Sequence, residues 1–228
     1  MAALKIVTFD VDGTLIHSVG PRSNYLHKAA FTAAFKEVFG LDTHIDVVKH
    51  HGSTDALILL KVLVHHGVPL EQAAAKLPEM QAAMVAYFEA NKQLAGEGLE
   101  LLPGVLPLLE ALAARQDVAV GLVTGNLEPI GWDYCNPANV EESWRDRAEF
   151  VRIAAQKVEA TRPGGVGARY HVGDAPMDVQ AAVGGGAQAI GVCTGIYTKQ
   201  ELSEAAPGAV VLDDLTDTAG VLKVLGLS

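Results

Sequence analysis

Cysteine is nearly absent from this chain. Among 228 residues only Cys135 and Cys193 occur, so no disulfide framework is to be expected. A reduced, cytoplasmic setting fits that count. Membrane-length apolar runs are also missing, and even the stretch from Ala56 to Val64 is broken by Lys61. Lys5 and Asp10 interrupt the first apolar run, so no signal peptide is expected. Positive charge is scarce: 17 Lys and Arg stand against 27 Asp and Glu, for a net charge of −10. An acidic surface disfavours nucleic acid and anionic membranes as partners. An anionic small molecule would need local help from a metal, a helix N-terminus or a placed cation. Internal repeats and long low-complexity tracts are lacking as well.

Half of the residues are hydrophobic, which is enough for one sizeable core and a smaller satellite domain. Leu4 to Thr8 reads as a buried strand. Residues 17 to 99 read as helical. Tyr25 to Phe35 has apolar residues at helical spacing, and Phe39-Gly40 closes that helix. Ser53-Thr54-Asp55 caps a helix from Ala56 to His65. Leu70 to Asn91 reads as one or two helices, with Pro78 at a break or a start. Strands then return at Val118–Val123, Arg169–Val172, Ala189–Val192 and Ala209–Leu212, with helices at Leu106–Ala113, Arg147–Ala160, Asp178–Val183 and Asp217–Leu225. Gly164 to Gly167 reads as a flexible connection. This alternation predicts an α/β fold, a Rossmann-like parallel sheet, interrupted after its first strand by a helical lobe. Residues 1–16 and 100–228 would form the core, and 17–99 the lobe.

Asp10 and Asp12 leave the first strand two positions apart, and Gly13-Thr14-Leu15 follows. Two carboxylates so close repel unless a cation lies between them. Mg2+ is the natural partner, being a hard ion that takes few carboxylates together with water and phosphate oxygens. Thr124 and Asp174 also stand at the ends of apolar strands, in Val123-Thr124-Gly125-Asn126 and Gly173-Asp174. Ligands of parallel sheets bind at those carboxyl ends. The histidines make no metal site, because His50-His51 and His65-His66 are adjacent pairs that diverge on a helix.

Phe9-Asp10-Val11-Asp12-Gly13-Thr14-Leu15 resembles the first motif of the haloacid dehalogenase (HAD) superfamily, in its capped phosphatase-like branch. Leu122 to Asn126 resembles the second motif, and Gly173-Asp174-x-x-x-Asp178 the fourth. The resemblance implies a Mg2+-dependent phosphate monoester hydrolase working through an aspartyl-phosphate on a small phosphorylated metabolite. It assigns the nucleophile to Asp10 and acid–base work to Asp12. Thr124, Gly125 and Asn126 would hold a phosphoryl oxygen. Asp10, Asp12 and Asp174 would hold the metal, Asp12 through its backbone carbonyl. Asp178 would be a further ligand, an outer support or a helix cap. The helical lobe would be a cap domain, with Thr54 and Asp55 in a loop that sorts substrates.

The third motif supplies a cation, usually Lys, near the start of a helix. Arg147 fits that position, and Lys157 is the other candidate. From Pro129 to Trp144 the chain is too short for the helix and strand that the resemblance implies there. A sugar-phosphate mutase and a non-catalytic binding module retaining the fold are the alternatives. A 2-haloacid dehalogenase is disfavoured, since those enzymes lack the second Asp and need no Mg2+. A monomer or homodimer is expected.

Overall fold

The computed structural model describes residues 4–127, 147–161 and 165–227. The short segment between Pro129 and Trp144 lies outside them. The described residues form two compact units: 4–17, 101–124 and the described part of 147–227 make one, and 18–100 with 125–127 make the other.

The first unit is built on a parallel sheet of β1 (Leu4–Phe9), β4 (Val118–Leu122), β5 (Val166–Gly173), β6 (Gln188–Val192) and β7 (Val210–Leu212), in the order β4-β1-β5-β6-β7. This is the α/β, Rossmann-like core expected. β1 lies inside the sheet, between β4 and β5, and is apolar on both faces: Leu4, Ile6, Val7 and Phe9 are all buried. Val7 and Phe9 join Leu108 and Leu112 of α5 (Val105–Ala113) and Val221 of α9 (Thr218–Val224) in one cluster. α6 (Ala148–Thr161) and α7 (Pro176–Gly184) supply Val151, Ala154 and Ala181 to a separate cluster with Val123.

β5 begins at Val166, inside the stretch read as a flexible connection, because Val166 pairs with Leu4. Helix α8 (Lys199–Ala205) had no counterpart in the sequence reading, although its cap is written there. The Thr198 side chain accepts from Glu201 N, while Glu201 Oε2 accepts from Thr198 N.

The second unit contains α1 (Tyr25–Phe39), α2 (Asp55–His65), α3 (Leu70–Ala75) and α4 (Leu77–Ala90). Phe31, Phe35, Leu59, Leu63, Met80 and Met84 are buried. Pro78 sits at the start of α4, where a missing N–H costs nothing. Two short strands missed by the sequence reading, β2 (Ile16–Ser18) and β3 (Leu99–Leu101), pair where the chain leaves and re-enters the first unit. Three residues are too few for a period of two to register. His50 and His51 lie outside any helix and their rings stack at 4.6 Å instead of diverging. No helix among the described residues is long and apolar enough to cross a membrane.

Leu108 is fully buried at the centre of the larger cluster. Leu108→Ala is expected to cost about 2–5 kcal/mol in a denaturant titration. An unchanged unfolding midpoint would show that α5 is not part of the cooperative core.

Candidate active site

Three strands end at one level. Phe9 pairs with Leu122 on one side and Val172 on the other. Beyond that level Asp10 N donates to Val172 O at 2.8 Å, and Val123 N donates to Phe9 O at 2.8 Å. The register therefore delivers Asp10, Thr124 and Asp174 to the carboxyl end of the sheet. All three are buried.

After Asp10 the chain doubles back. The amides of Leu15 and Ile16 donate to Val11 O at 2.9 and 3.1 Å, and Gly13 N donates to Ile16 O at 2.8 Å. Gly13 has φ 87°, a conformation that side chains disfavour. It also has no room for one, since a Cβ would stand 2.6 Å from Asp174 Oδ2. Thr14 is buried and its hydroxyl donates to Asp174 Oδ1 at 3.4 Å. Asp12 is exposed on this turn.

Asp178 lies in the first turn of α7 with 1% of its surface exposed. Its Oδ2 accepts from Ala175 N at 3.0 Å, closing the helix start, while its Oδ1 faces Arg147 Nη2 at 2.9 Å. It closes the helix start and faces the guanidinium at once. Arg147, just ahead of α6, donates from the same nitrogen to Asp10 Oδ1 at 2.6 Å. Lys157 is exposed further along α6. Ten residues is nearly three helical turns, about 15 Å along the axis, so one helix does not bring both cations to one spot.

Carboxylate oxygens of Asp10, Asp174 and Asp178 all lie within 4.8 Å of one another. Burial, then the neighbouring Asp178 charge, holds the Asp10 carboxyl well above its ordinary range, with Arg147 pulling the other way. The same two causes push Asp174 up to about 7. Burial opposes the Arg147 charge, yet Asp178, Asp10 and Asp174 together raise its pKa. Three carboxylates against one guanidinium leave two negative charges to compensate. A divalent, oxygen-seeking cation matches both the charge and the donor set. The residues present therefore fit Mg2+.

The remaining expected residues stand in the second unit. Asp55 N donates to Gly125 O at 2.8 Å. The Asp55 carboxylate accepts from Leu127 N at 2.8 Å and contacts His27 Nε2 at 3.1 Å. Thr54 Oγ1 caps α2 by accepting from Leu57 N at 3.3 Å. Both side chains are buried, and that of Asp55 fastens the segment that follows Thr124.

Sequence reasoning overlooked His171. It points from β5 with Nδ1 3.0 Å from Thr8 Oγ1. The Thr8 hydroxyl donates to Tyr170 O at 3.1 Å, so the imidazole proton is assigned to Nδ1. Burial brings the pKa of His171 down to about 4, so it is neutral beneath the site. An apolar strand with one polar residue facing inward was the available signal.

Comparison with known proteins bears on the fold and on one segment of the chain. Residues 147–218, from Arg147 through Asp174 and Asp178, match the HAD-hydrolase-like family model. No curated protein matches the chain. Similar solved structures include a hydrolase from Pseudomonas syringae, 22% identical, covering 97% of this chain and 98% of that one, with TM-score 0.57. A haloacid dehalogenase-like hydrolase from Streptococcus pneumoniae is 21% identical over 98% and 99% of the chains, with TM-score 0.52. A predicted phosphoglycolate phosphatase from Haemophilus somnus is 20% identical over 97% and 99%, with TM-score 0.57. At such identities the likeness establishes the fold. The matched segment is HAD-hydrolase-like and the fold is shared with HAD-like hydrolases, in line with the resemblance read from the sequence.

The histidine yields a pH prediction. Its folded pKa lies below its unfolded value of about 6.5. Its contribution is therefore fully present above pH 6.5 and is lost as pH falls toward 4, on the order of 3 kcal/mol in total. His171→Asn should show a shallower loss of stability between pH 7 and 4.5 in denaturant titrations. Parallel curves for the two proteins would mean that His171 charges freely in the folded state.

Proposed function

We propose that this protein is a Mg2+-dependent phosphatase that hydrolyses a small phosphate monoester through an aspartyl-phosphate on Asp10. The observation that carries the reading is the Arg147–Asp10 contact of 2.6 Å inside a buried trio of carboxylates.

Asp10 is the nucleophile. Its carboxylate attacks phosphorus and the bond to the ester oxygen breaks. Asp12, on the exposed turn, gives a proton to the departing oxygen. It then takes a proton from the water that attacks the aspartyl-phosphate, which releases inorganic phosphate and restores Asp10. The Thr124 hydroxyl and the amides of Gly125 and Asn126 hold phosphoryl oxygens. Arg147 orients the Asp10 carboxylate through Nη2 and neutralises charge. Asp10, Asp174, Asp178 and the Asp12 carbonyl would hold Mg2+, whose chemistry there is to offset the charge of carboxylates and substrate.

Substrate choice is assigned to the helical unit as a cap, with Thr54 and Asp55 as the residues that sort substrates. A cytoplasmic setting accords with the low cysteine count.

Turnover of p-nitrophenyl phosphate tests the reading. Activity is expected with Mg2+ and not with EDTA, and Asp10→Asn should abolish it. Turnover that survives either treatment would refute the mechanism. Arg147→Ala should lower kcat by about 10²–10³-fold, and Lys157→Ala should leave it near the parent value. The opposite ranking would hand the role to Lys157. Asp55→Asn should reorder a panel of phosphorylated metabolites, and an unchanged order would remove Asp55 from substrate selection.

A further inference from the structure

The loop after β6 reaches the site although no motif announces it. Thr194 Oγ1 donates to Gly13 O at 2.5 Å, tying this loop to the turn that follows Asp10 and Asp12. The next residue, Gly195, lies against Asp174. A Cβ on Gly195 would overlap Asp174 Oδ2 and stand 3.1 Å from the Asp174 Cβ. Gly13 approaches the same carboxylate, with a notional Cβ 2.6 Å from Oδ2 and 2.9 Å from Oδ1. Thr14 adds a hydroxyl at 3.4 Å from Oδ1.

These contacts form a closed set. Gly13 and Gly195 both pack on one carboxylate, and Thr194 fastens Gly13 to the loop that carries Gly195. A carboxylate that can rotate must spend rotamer entropy each time it binds an ion, and packing on it removes that freedom beforehand. Gly195 has φ outside the positive region, so backbone conformation does not demand glycine there. The demand comes from Asp174.

We propose that Thr194 and Gly195 are positioning residues of the metal site: they hold the Asp174 carboxylate in the orientation that converges on Asp10 and Asp178. The inference rests on the Mg2+ reading above and extends it to a loop distant in sequence. A neighbour that merely fills space would leave ion affinity alone, whereas residues that orient a ligand change it.

Mg2+ binding to the full chain, measured by isothermal titration calorimetry without substrate, separates the two. The proteins are the parent, Asp174→Asn, Gly195→Ala, Thr194→Val and Thr194→Ser, with circular dichroism to confirm folding. Gly195→Ala should weaken Mg2+ binding about tenfold or more, and Thr194→Val several-fold, within the roughly 10–100-fold range seen when groups that orient metal ligands are removed. Thr194→Ser keeps the hydroxyl and should match the parent. Parent-like affinity in folded Gly195→Ala overturns the inference, as does equal affinity in Thr194→Val and Thr194→Ser. Should Gly195→Ala fail to fold, the Thr194 pair decides alone. A parent chain that binds no Mg2+ overturns the proposed function and this inference together. Binding lost in Asp174→Asn but kept in Gly195→Ala and Thr194→Val overturns this inference and leaves the function standing.

Discussion

The structure depends most on one unbalanced charge group. Asp10, Asp174 and Asp178 are buried with ligand oxygens within 4.8 Å of one another, and Arg147 is the guanidinium bonded among them. Removing a carboxylate from water costs several kcal/mol after relaxation, and like charges nearby add to that. The rest of the core has to be stable enough to hold the group together. The raised pKa values of Asp10 and Asp174 express the same strain, because in the absence of a cation a proton is the cheapest counter-charge.

The apolar sheet supplies that stability and also the geometry. β1 is covered on both faces, so its register against β4 and β5 cannot slip without exposing Val7 and Phe9. A fixed register fixes where the polar residues emerge. His171 sits inside the same core: its Nδ1 bonds to Thr8, and burial keeps the imidazole neutral, so it adds no positive charge beneath the carboxylates.

Glycine does comparable work at short range. Gly13 lets the turn after Asp10 close in a left-handed conformation, while Gly173 and Gly195 let backbone lie directly on Asp178 and Asp174. In the helical unit a carboxylate plays the structural part instead. Asp55 accepts from Leu127 N, and its own N–H bonds to Gly125 O, so the segment after Thr124 is fastened through backbone groups, and Gly125 has no room for a side chain because a Cβ would stand 2.8 Å from Ser53 O.

Much of this was legible in the chain. The Asp10-x-Asp12-Gly13 spacing, the apolar strands and the alternation of strands with helices determine an α/β core with acidic residues at strand ends, because periodicity and paired charge are local properties. Arg147 was legible as a candidate from its place at a helix start. Other features were decided only by tertiary structure. Arg147 rather than Lys157 stands beside Asp10 because α6 presents its N-terminal end to the strand ends, and sequence distance does not encode that. Asp178 caps α7 and faces Arg147 at once because α7 begins just after Asp174. Thr194 and Gly195 meet Gly13 and Asp174 only because β6 lies next to β5 in the sheet. Contacts between residues some 180 positions apart are set by strand order and register, and neither is written in any short stretch of sequence.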